Sequence, residues 1–113
     1  MNGSEAEDLA AHYLQQQHLV LIERNYRCRY GEIDLIMRDQ TMLVFIEVKM
    51  RTHASFGGAI HSITESKQHK LILTANHYLA NLKKIPPCRF DVVLITGQLT
   101  HEINWIKNAF DEI

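Results

Sequence analysis

This chain of 113 residues is poor in the residue types that crosslink or interrupt a fold, with two cysteines, two prolines and five glycines. Two cysteines are too few for a disulfide scaffold, and their separation in sequence does not match the paired spacing of a zinc site. We therefore expect Cys28 and Cys88 to be reduced thiols. The seven histidines include no pair at the helical i, i+4 spacing of an HExxH zinc site.

The sequence also lacks an apolar run of membrane-spanning length and an N-terminal segment of the signal-peptide type. These absences predict a soluble, cytoplasmic protein that does not bind membranes. The formal net charge is −1, from 12 basic and 13 acidic side chains, so any binding of nucleic acid must come from a local basic patch. The length predicts a single domain over residues 1–113.

The hydrophobic pattern predicts seven elements in the order αβββαββ, which implies an α/β fold: a three-layer α-β-α sandwich around a mixed sheet of about five strands. The predicted elements are a helix over 4–17, strands over 19–29, 32–38 and 42–50, a helix from 62 to about 84, and strands over 90–95 and 99–106.

Two capping boxes mark the predicted helix starts. Ser4 is followed three residues later by Glu7, and Ser62 is followed by Glu65, which is the spacing of reciprocal side-chain caps. The segment 51–61, which contains two adjacent glycines, is predicted to be a loop.

Three charged residues interrupt two runs of the sequence that otherwise have the pattern of buried strands. Asp34 follows Ile33, while Glu47 and Lys49 alternate with aliphatic residues in the next strand. Charges are rarely buried without a partner or a metal. Two carboxylates and an ammonium group on adjacent strands therefore indicate either a site for a hard cation or a structural ion pair.

A two-residue turn at Asp39-Gln40 would gather these charges on one face of a hairpin. In that register Arg38 faces Thr41, Asp34 faces Phe45, and Glu32 faces Glu47. Because side chains alternate, the opposite face would then be apolar and would consist of Ile33, Leu35, Val44, Ile46 and Val48. Glu32 would add a third acidic group without a matching cation.

The densest cluster of basic and aromatic residues lies in and beside the first strand. Arginine forks fit phosphates, and tyrosine rings accept unpaired bases, so we predict nucleic-acid binding at Arg24, Tyr26, Arg27, Arg29 and Arg51, with Tyr30 among them. Alternation predicts that Arg24 and Tyr26 share a face. The alternative is an edge strand that is protected by charge against pairing with other chains.

Motifs along nearly the whole chain resemble those of the PD-(D/E)XK nuclease superfamily, and more closely the small bacterial YraN-like family. The spacing of thirteen residues between Asp34 and the Glu47 of the E-x-K motif is part of this resemblance. The matching segments are Glu7-Asp8-Leu9-Ala10, Arg24-Asn25-Tyr26-Arg27, Gly31-Glu32-Ile33-Asp34-Leu35-Ile36, Phe45-Ile46-Glu47-Val48-Lys49 with Arg51, Phe56-Gly57, Lys67, Arg89-Phe90-Asp91-Val92-Val93 and Ile103-Asn104-Trp105-Ile106.

The resemblance implies a restriction-endonuclease-like fold and a metal-dependent nuclease site. Asp34 and Glu47 would bind Mg²⁺, with Mn²⁺ as a substitute, because this ion prefers hard oxygen ligands, and the Val48 carbonyl would add a ligand. Lys49 would orient the attacking water or stabilise developing charge. Glu7 matches a helical glutamate of the similar archaeal Holliday-junction resolvases, and would be a further ligand.

Each assignment has a structural alternative. Lys49 could form an ion pair with one of the two carboxylates, and Glu7 could serve only the helix N-terminus. Glu32 could be a ligand or an exposed strand residue, and Lys67 could reach the site or remain in solvent.

Three functions therefore stay open. The first is a Mg²⁺-dependent nuclease that acts on DNA rather than RNA, with branched DNA as a candidate substrate. The second is a nucleic-acid-binding protein of nuclease fold that does not cut, and the third is a structural or protein-interaction domain. A homodimer is compatible with cutting two strands, but no residue indicates one.

Overall fold

A computed structural model describes residues 1–51 and 63–111 and confirms the predicted order αβββαββ. The elements are α1 (Gly3–Gln16), β1 (Val20–Cys28), β2 (Gly31–Asp39), β3 (Met42–Arg51), α2 (Glu65–Leu79), β4 (Cys88–Thr96) and β5 (Glu102–Phe110). The predicted loop over 51–61 lies outside the described residues, apart from its first residue. No helix in the described ranges is long and apolar enough to cross a membrane.

The five strands form one mixed sheet in the order β1-β2-β3-β4-β5. Strands β3 and β4 are parallel, and every other neighbouring pair is antiparallel. A parallel pair needs a long crossover connection, and α2 lies within the one between β3 and β4. The mixed sheet follows from this single crossover.

Each face of the sheet packs against one helix, which gives the predicted α/β sandwich. In β3, Val44 and Ile46 point toward α1, whereas Leu43 and Phe45 point toward α2, because side chains alternate along a strand. Strands covered on both faces carry nearly continuous apolar sequence. The helix residues that complete the two cores are Ala6, Ala10, Ala11 and Leu14 in α1, and Leu71, Ile72, Ala75 and Leu79 in α2.

Both helices begin at caps that differ from the predicted ones. The Asn2 side chain, not that of Ser4, accepts a hydrogen bond from the Glu5 N–H at 2.9 Å. The Thr64 hydroxyl caps α2 by accepting from the Lys67 N–H at 3.1 Å, which excludes Ser62 as its N-cap. Both capping boxes were therefore misplaced by two residues, because any small polar residue near the start can supply the same bond.

The bounds of two predicted elements are also wrong. Helix α2 ends at Leu79 rather than near Lys84, since the Ala80 N–H makes the last helical bond and tighter turns follow it. The last strand spans Glu102–Phe110 instead of 99–106, because the chain turns at Gly97, whose φ is +119°.

The register of the β2–β3 hairpin differs from the predicted one. Arg38 pairs with Leu43 rather than with Thr41, so the turn lies at Gln40, whose φ is +57°. Asp39 remains in the strand, where its carboxylate accepts from Arg89 at 3.0 Å. The displacement is even, and Asp34 now comes beside Glu47 instead of opposite Phe45.

The alternation of side chains between the two faces of the sheet is interrupted where Asn25 of β1 lies beside Asp34 of β2. Asn25 has a φ of +53°, and the residues on either side of it point to opposite faces of the sheet. Arg24 reaches α1, whereas Tyr26 packs against α2, so the prediction that they share a face is wrong. Ile33 likewise packs in the α2 core and not with Leu35, because the left-handed residue rotates the local strand pair.

Candidate metal centre

Asp34 sits at the point where β2 and β3 separate. Their pairing runs from Asp39 to Leu35, which is paired with Ile46, and stops there. One residue beyond this last pair, Asp34 of β2 lies beside Glu47 of β3. The Asp34 Oδ2 accepts a hydrogen bond from the Val48 N–H at 2.8 Å. The carboxylate therefore replaces a ladder hydrogen bond and is held by the backbone.

Three acidic side chains meet at this separation. Glu7 of α1 and Glu32 and Asp34 of β2 each offer a carboxylate oxygen, and these oxygens all lie within 4.8 Å of one another. Asp34 is also within hydrogen-bonding reach of the Glu47 carboxyl group. Asp34 thus stands between a helix carboxylate on one side and the buried Glu47 on the other.

This crowding changes the acidity of Asp34. Burial raises the pKa of the Asp34 carboxyl to about 8, and the hydrogen bond and negative charge of Glu47 and the charge of Glu7 add to the rise. The Val48 N–H opposes it. A carboxyl group in this state takes up either a proton or a cation, since both relieve the same repulsion.

Two lysines approach the same oxygen of Glu47. The Lys49 Nζ lies 3.7 Å and the Lys67 Nζ 3.3 Å from the Glu47 Oε2. The structure therefore brings Lys67 to the site, while the predicted structural pairing of Lys49 with Glu47 is also present. Within the described residues, Asp34 has no basic side chain within ion-pair distance.

The other two carboxylates have cationic partners. The Arg27 Nε lies 3.3 Å from the Glu32 Oε2, and the Arg24 Nη2 lies 3.8 Å from the Glu7 Oε1. The prediction that Glu32 lacks a matching cation is therefore wrong. Glu7 does not take part in the α1 cap. Helix capping therefore does not explain why its carboxylate lies beside that of Asp34.

The predicted nucleic-acid-binding residues do not form one patch. Arg24 is held by Asp8 of α1 at 2.6 Å, and the Tyr26 hydroxyl is hydrogen-bonded to His77 of α2. Arg29 donates to the Tyr30 hydroxyl at 2.7 Å. Arg51 ends β3 and lines a cavity of about 340 Å³ whose walls also include Met1, Met50, Ile95, Gly97, Gln98 and His101.

A second acidic residue, Asp91 of β4, is buried but belongs to the framework. Its carboxylate accepts from the Arg89 Nε at 3.0 Å, from the Trp105 Nε1 at 2.9 Å and from the Asn108 N–H at 2.9 Å. Arg89 also reaches Asp39 at 3.0 Å. Both carboxylate oxygens of Asp91 are thus satisfied by protein donors, which is typical of a structural ion pair.

His77 was not predicted as a site residue. It is exposed on α2, is hydrogen-bonded to Tyr26, and has its ring centroid 6.4 Å from that of Tyr30. The sequence separates Tyr26 from His77 by 51 positions. No local spacing signals such a contact, which only the docking of α2 on β1 produces.

The fold and the site together define a small α/β sandwich protein with a carboxylate cluster where its two central antiparallel strands separate. The chain belongs to the uncharacterised protein family UPF0102, whose profile matches residues 6–95. This is the YraN-like family that the motifs indicated.

Similar proteins cover nearly the whole chain. Two UPF0102 proteins of Nitrosomonas europaea are 61% and 57% identical to it over 110 residues, which are 97% of this chain and 93% of each relative. A UPF0102 protein of Nitrosospira multiformis is 55% identical over 111 residues, or 98% of this chain and 93% of the relative.

Proposed function

We propose that this protein is a Mg²⁺-dependent nuclease of the PD-(D/E)XK type that hydrolyses phosphodiester bonds in DNA. The observation that carries the proposal is the Asp34 carboxylate, which faces the carboxylates of Glu7, Glu32 and Glu47. Among the residues that the structure describes, no cation balances it. The motif resemblance supports the same assignment.

The donor set fits a hard divalent cation. Asp34, Glu32 and Glu7 offer carboxylate oxygens within 4.8 Å of one another, and Glu47 of the adjacent strand lies within hydrogen-bonding reach of Asp34. Mg²⁺ prefers such ligands and keeps several waters, and Mn²⁺ can substitute for it. Bound there, the ion would polarise the phosphodiester and lower the pKa of an attacking water.

The lysines supply positive charge from the protein itself. Lys49 contacts Glu47 from the same strand face, and Lys67 contacts it from α2. If a cation bound Glu47, then Lys49 and Lys67, which now contact its Oε2, would be free to bind a non-bridging phosphate oxygen. We assign Lys49 to the developing charge on that oxygen and to orientation of the water, and Lys67 to a phosphate contact.

The phosphate backbone would be bound by arginines near the cluster. Arg27, which would have to leave Glu32, and Arg29 are exposed, and each can present a planar fork to a phosphate. Arg24 is ion-paired with Asp8 and would need to leave it to bind, whereas Tyr26 and Arg51 are hydrogen-bonded to His77 and to the Met50 carbonyl. We favour DNA over RNA, with branched or structured DNA as the first substrates to screen.

Calorimetric titration of Mg²⁺ and Mn²⁺ tests the metal site directly. Wild type is expected to bind either ion, whereas Asp34→Asn and Glu47→Gln are expected to abolish binding. Glu5→Gln, which removes an exposed carboxylate of α1, is the matched control and should bind normally. If wild type binds no ion even with a DNA duplex or junction present, the nuclease proposal is wrong.

One observation favours a structural role as a second candidate. Lys49 and Lys67 both pair with Glu47, and Arg27 pairs with Glu32, so the hairpin also forms an ion-pair network. A salt titration of DNA binding separates the candidates, because phosphate contacts make affinity fall steeply with salt. A nuclease-fold protein that binds without cutting would show that salt dependence and no cleavage.

A further inference from the structure

The turn between β1 and β2 carries an arginine that the fold leaves without an acidic partner. Across the described ranges, Arg24, Arg27 and Arg89 each contact a carboxylate, but Arg29 contacts none. Its Nη2 donates to the Tyr30 hydroxyl at 2.7 Å, and its Cζ lies 4.9 Å from the Tyr30 ring centroid. The guanidinium therefore lies over an aromatic ring, and Arg29 is exposed to solvent.

Aromatic contacts hold that ring in place. The Tyr30 and His77 centroids are 6.4 Å apart, and His77 is hydrogen-bonded to the Tyr26 hydroxyl. Tyr26 packs edge-on against Tyr78 of α2 at 5.1 Å. We call Arg29, Tyr30, Tyr26 and His77 the ring platform. Its rings are anchored on α2, so little conformational entropy would be lost when a flat ligand binds.

The backbone fixes the ring platform close to the acidic cluster. Gly31, which alone separates Tyr30 from Glu32, has a φ of +153°, and a Cβ there would lie 3.3 Å from the Thr74 Oγ1. The turn is thus packed tightly on α2. Four residues of extended chain span at most about 14 Å, so Tyr30 lies within one or two nucleotides of Asp34.

We propose that the ring platform binds an unpaired nucleotide of a nucleic-acid strand whose neighbouring phosphate lies at the acidic cluster. This inference rests on the proposed function and names its substrate class: single-stranded tails, flaps or junctions with unpaired bases. The platform itself does not distinguish DNA from RNA, since stacking ignores the 2′-hydroxyl.

Three properties of the ring platform support an unpaired base as the occupant. A base can stack on a guanidinium plane or an aromatic ring only when it is not enclosed in a duplex. Arg29 keeps N–H donors beyond its bond to Tyr30, which suit the phosphate of the stacked nucleotide. The platform offers rings and positive charge together, which is typical of sites for single strands.

Fluorescence anisotropy with a labelled oligothymidine and a blunt duplex, in EDTA at fixed salt, tests this inference. Tyr30→Ala and Arg29→Ala are expected to weaken oligothymidine binding about 5- to 150-fold, as loss of one stacked base does, and to change duplex binding less than twofold. Tyr30→Phe, which keeps the ring, should retain most of the affinity, and unchanged duplex binding by the alanine variants shows that they fold. Arg38→Ala removes an exposed arginine of β2 and is the charge-matched control.

The inference is overturned if Tyr30→Ala binds oligothymidine as wild type does, or if Arg38→Ala weakens it as much as Arg29→Ala. The two proposals can fail separately. Oligothymidine binding that depends on Tyr30, in a protein that binds no metal, contradicts the nuclease alone. Cleavage that needs Asp34 but retains its flap-to-blunt ratio in Tyr30→Ala contradicts the ring platform alone.

Discussion

The Val48 N–H donates to the Asp34 carboxylate at 2.8 Å, at the step where β2 and β3 cease to pair. A side chain thus completes the backbone hydrogen bonding of the neighbouring strand. Because an asparagine at this position can accept the same bond through its amide oxygen, the charge of Asp34 can be removed while the strand geometry is kept.

This relationship predicts the behaviour of Asp34→Asn without metal. The substitution removes one of several crowded negative charges and keeps the acceptor, so the free energy of unfolding in EDTA at pH 8 is expected to stay constant or to rise by about 1 kcal/mol. Urea denaturation measures it. If Asp34 instead belonged to a stabilising ion-pair network, the variant would lose stability.

Stability should also depend on pH in a direction set by Asp34. Its pKa is raised to about 8 in the folded protein, above the usual value of about 3.9 in an unfolded chain. The folded state then binds the proton of Asp34 more tightly than the unfolded chain does. The stability that this protonated carboxyl contributes is fully present below about pH 4 and is lost as pH rises through 8. The melting temperature in EDTA is expected to fall by several degrees from pH 5 to pH 8.

Two controls isolate that titration. Asp34→Asn should flatten the melting profile between pH 5 and pH 8. Saturating Mg²⁺ should raise the wild-type melting temperature more at pH 8 than at pH 5, because the ion competes with the proton, and should leave Asp34→Asn unchanged. A wild-type profile that rises over this range would contradict the assignment.

The two lysines should differ in their effect on cleavage. Lys49→Met is expected to lower kcat by about 10² to 10³, the usual cost of removing one group that stabilises developing charge, while Mg²⁺ affinity stays within a few fold. Lys67→Met should cost less, since it is assigned to a phosphate contact. Single-turnover cleavage with calorimetry separates these effects, and equal losses in both variants would argue against the assignment.

Asp91→Asn should destabilise the fold without affecting the metal site. Asp91 is buried beside Arg89, and breaking a buried charge pair typically costs about 3–5 kcal/mol. The exposed Asp8, paired with Arg24, is the control, and Asp8→Asn should cost less than about 1 kcal/mol. Urea denaturation gives both values, and loss of Mg²⁺ binding in folded Asp91→Asn would show that the two acidic groups are coupled.

Gly31→Ala should cost about 1–3 kcal/mol in the free energy of unfolding, because Gly31 has a φ of +153° and its Cβ would press on the Thr74 Oγ1 at 3.3 Å. Gly3 of α1 has nothing within 4 Å of an added Cβ, so Gly3→Ala should be neutral or slightly stabilising. Equal melting temperatures for the two variants would show that the β1–β2 turn is not tightly packed.

Much of the fold could be predicted because periodicity is a local property. Apolar runs and alternation placed all seven elements in order, and the E-x-K pattern placed Glu47 and Lys49 on one face. The ends of these elements could not be predicted as well. Several small polar residues near the start of a helix can cap it, and here Asn2 and Thr64 do so.

The sequence by itself determined the α/β sandwich, the family, and the grouping of Glu47 with Lys49, because these depend on residue type and on spacing along the chain. Only the tertiary structure decided the partners of those charges. It rotated Arg24 toward α1 and Tyr26 toward α2 through a left-handed Asn25. Such contacts depend on how the helices dock on the sheet, and the spacing of residues along the chain does not encode that docking.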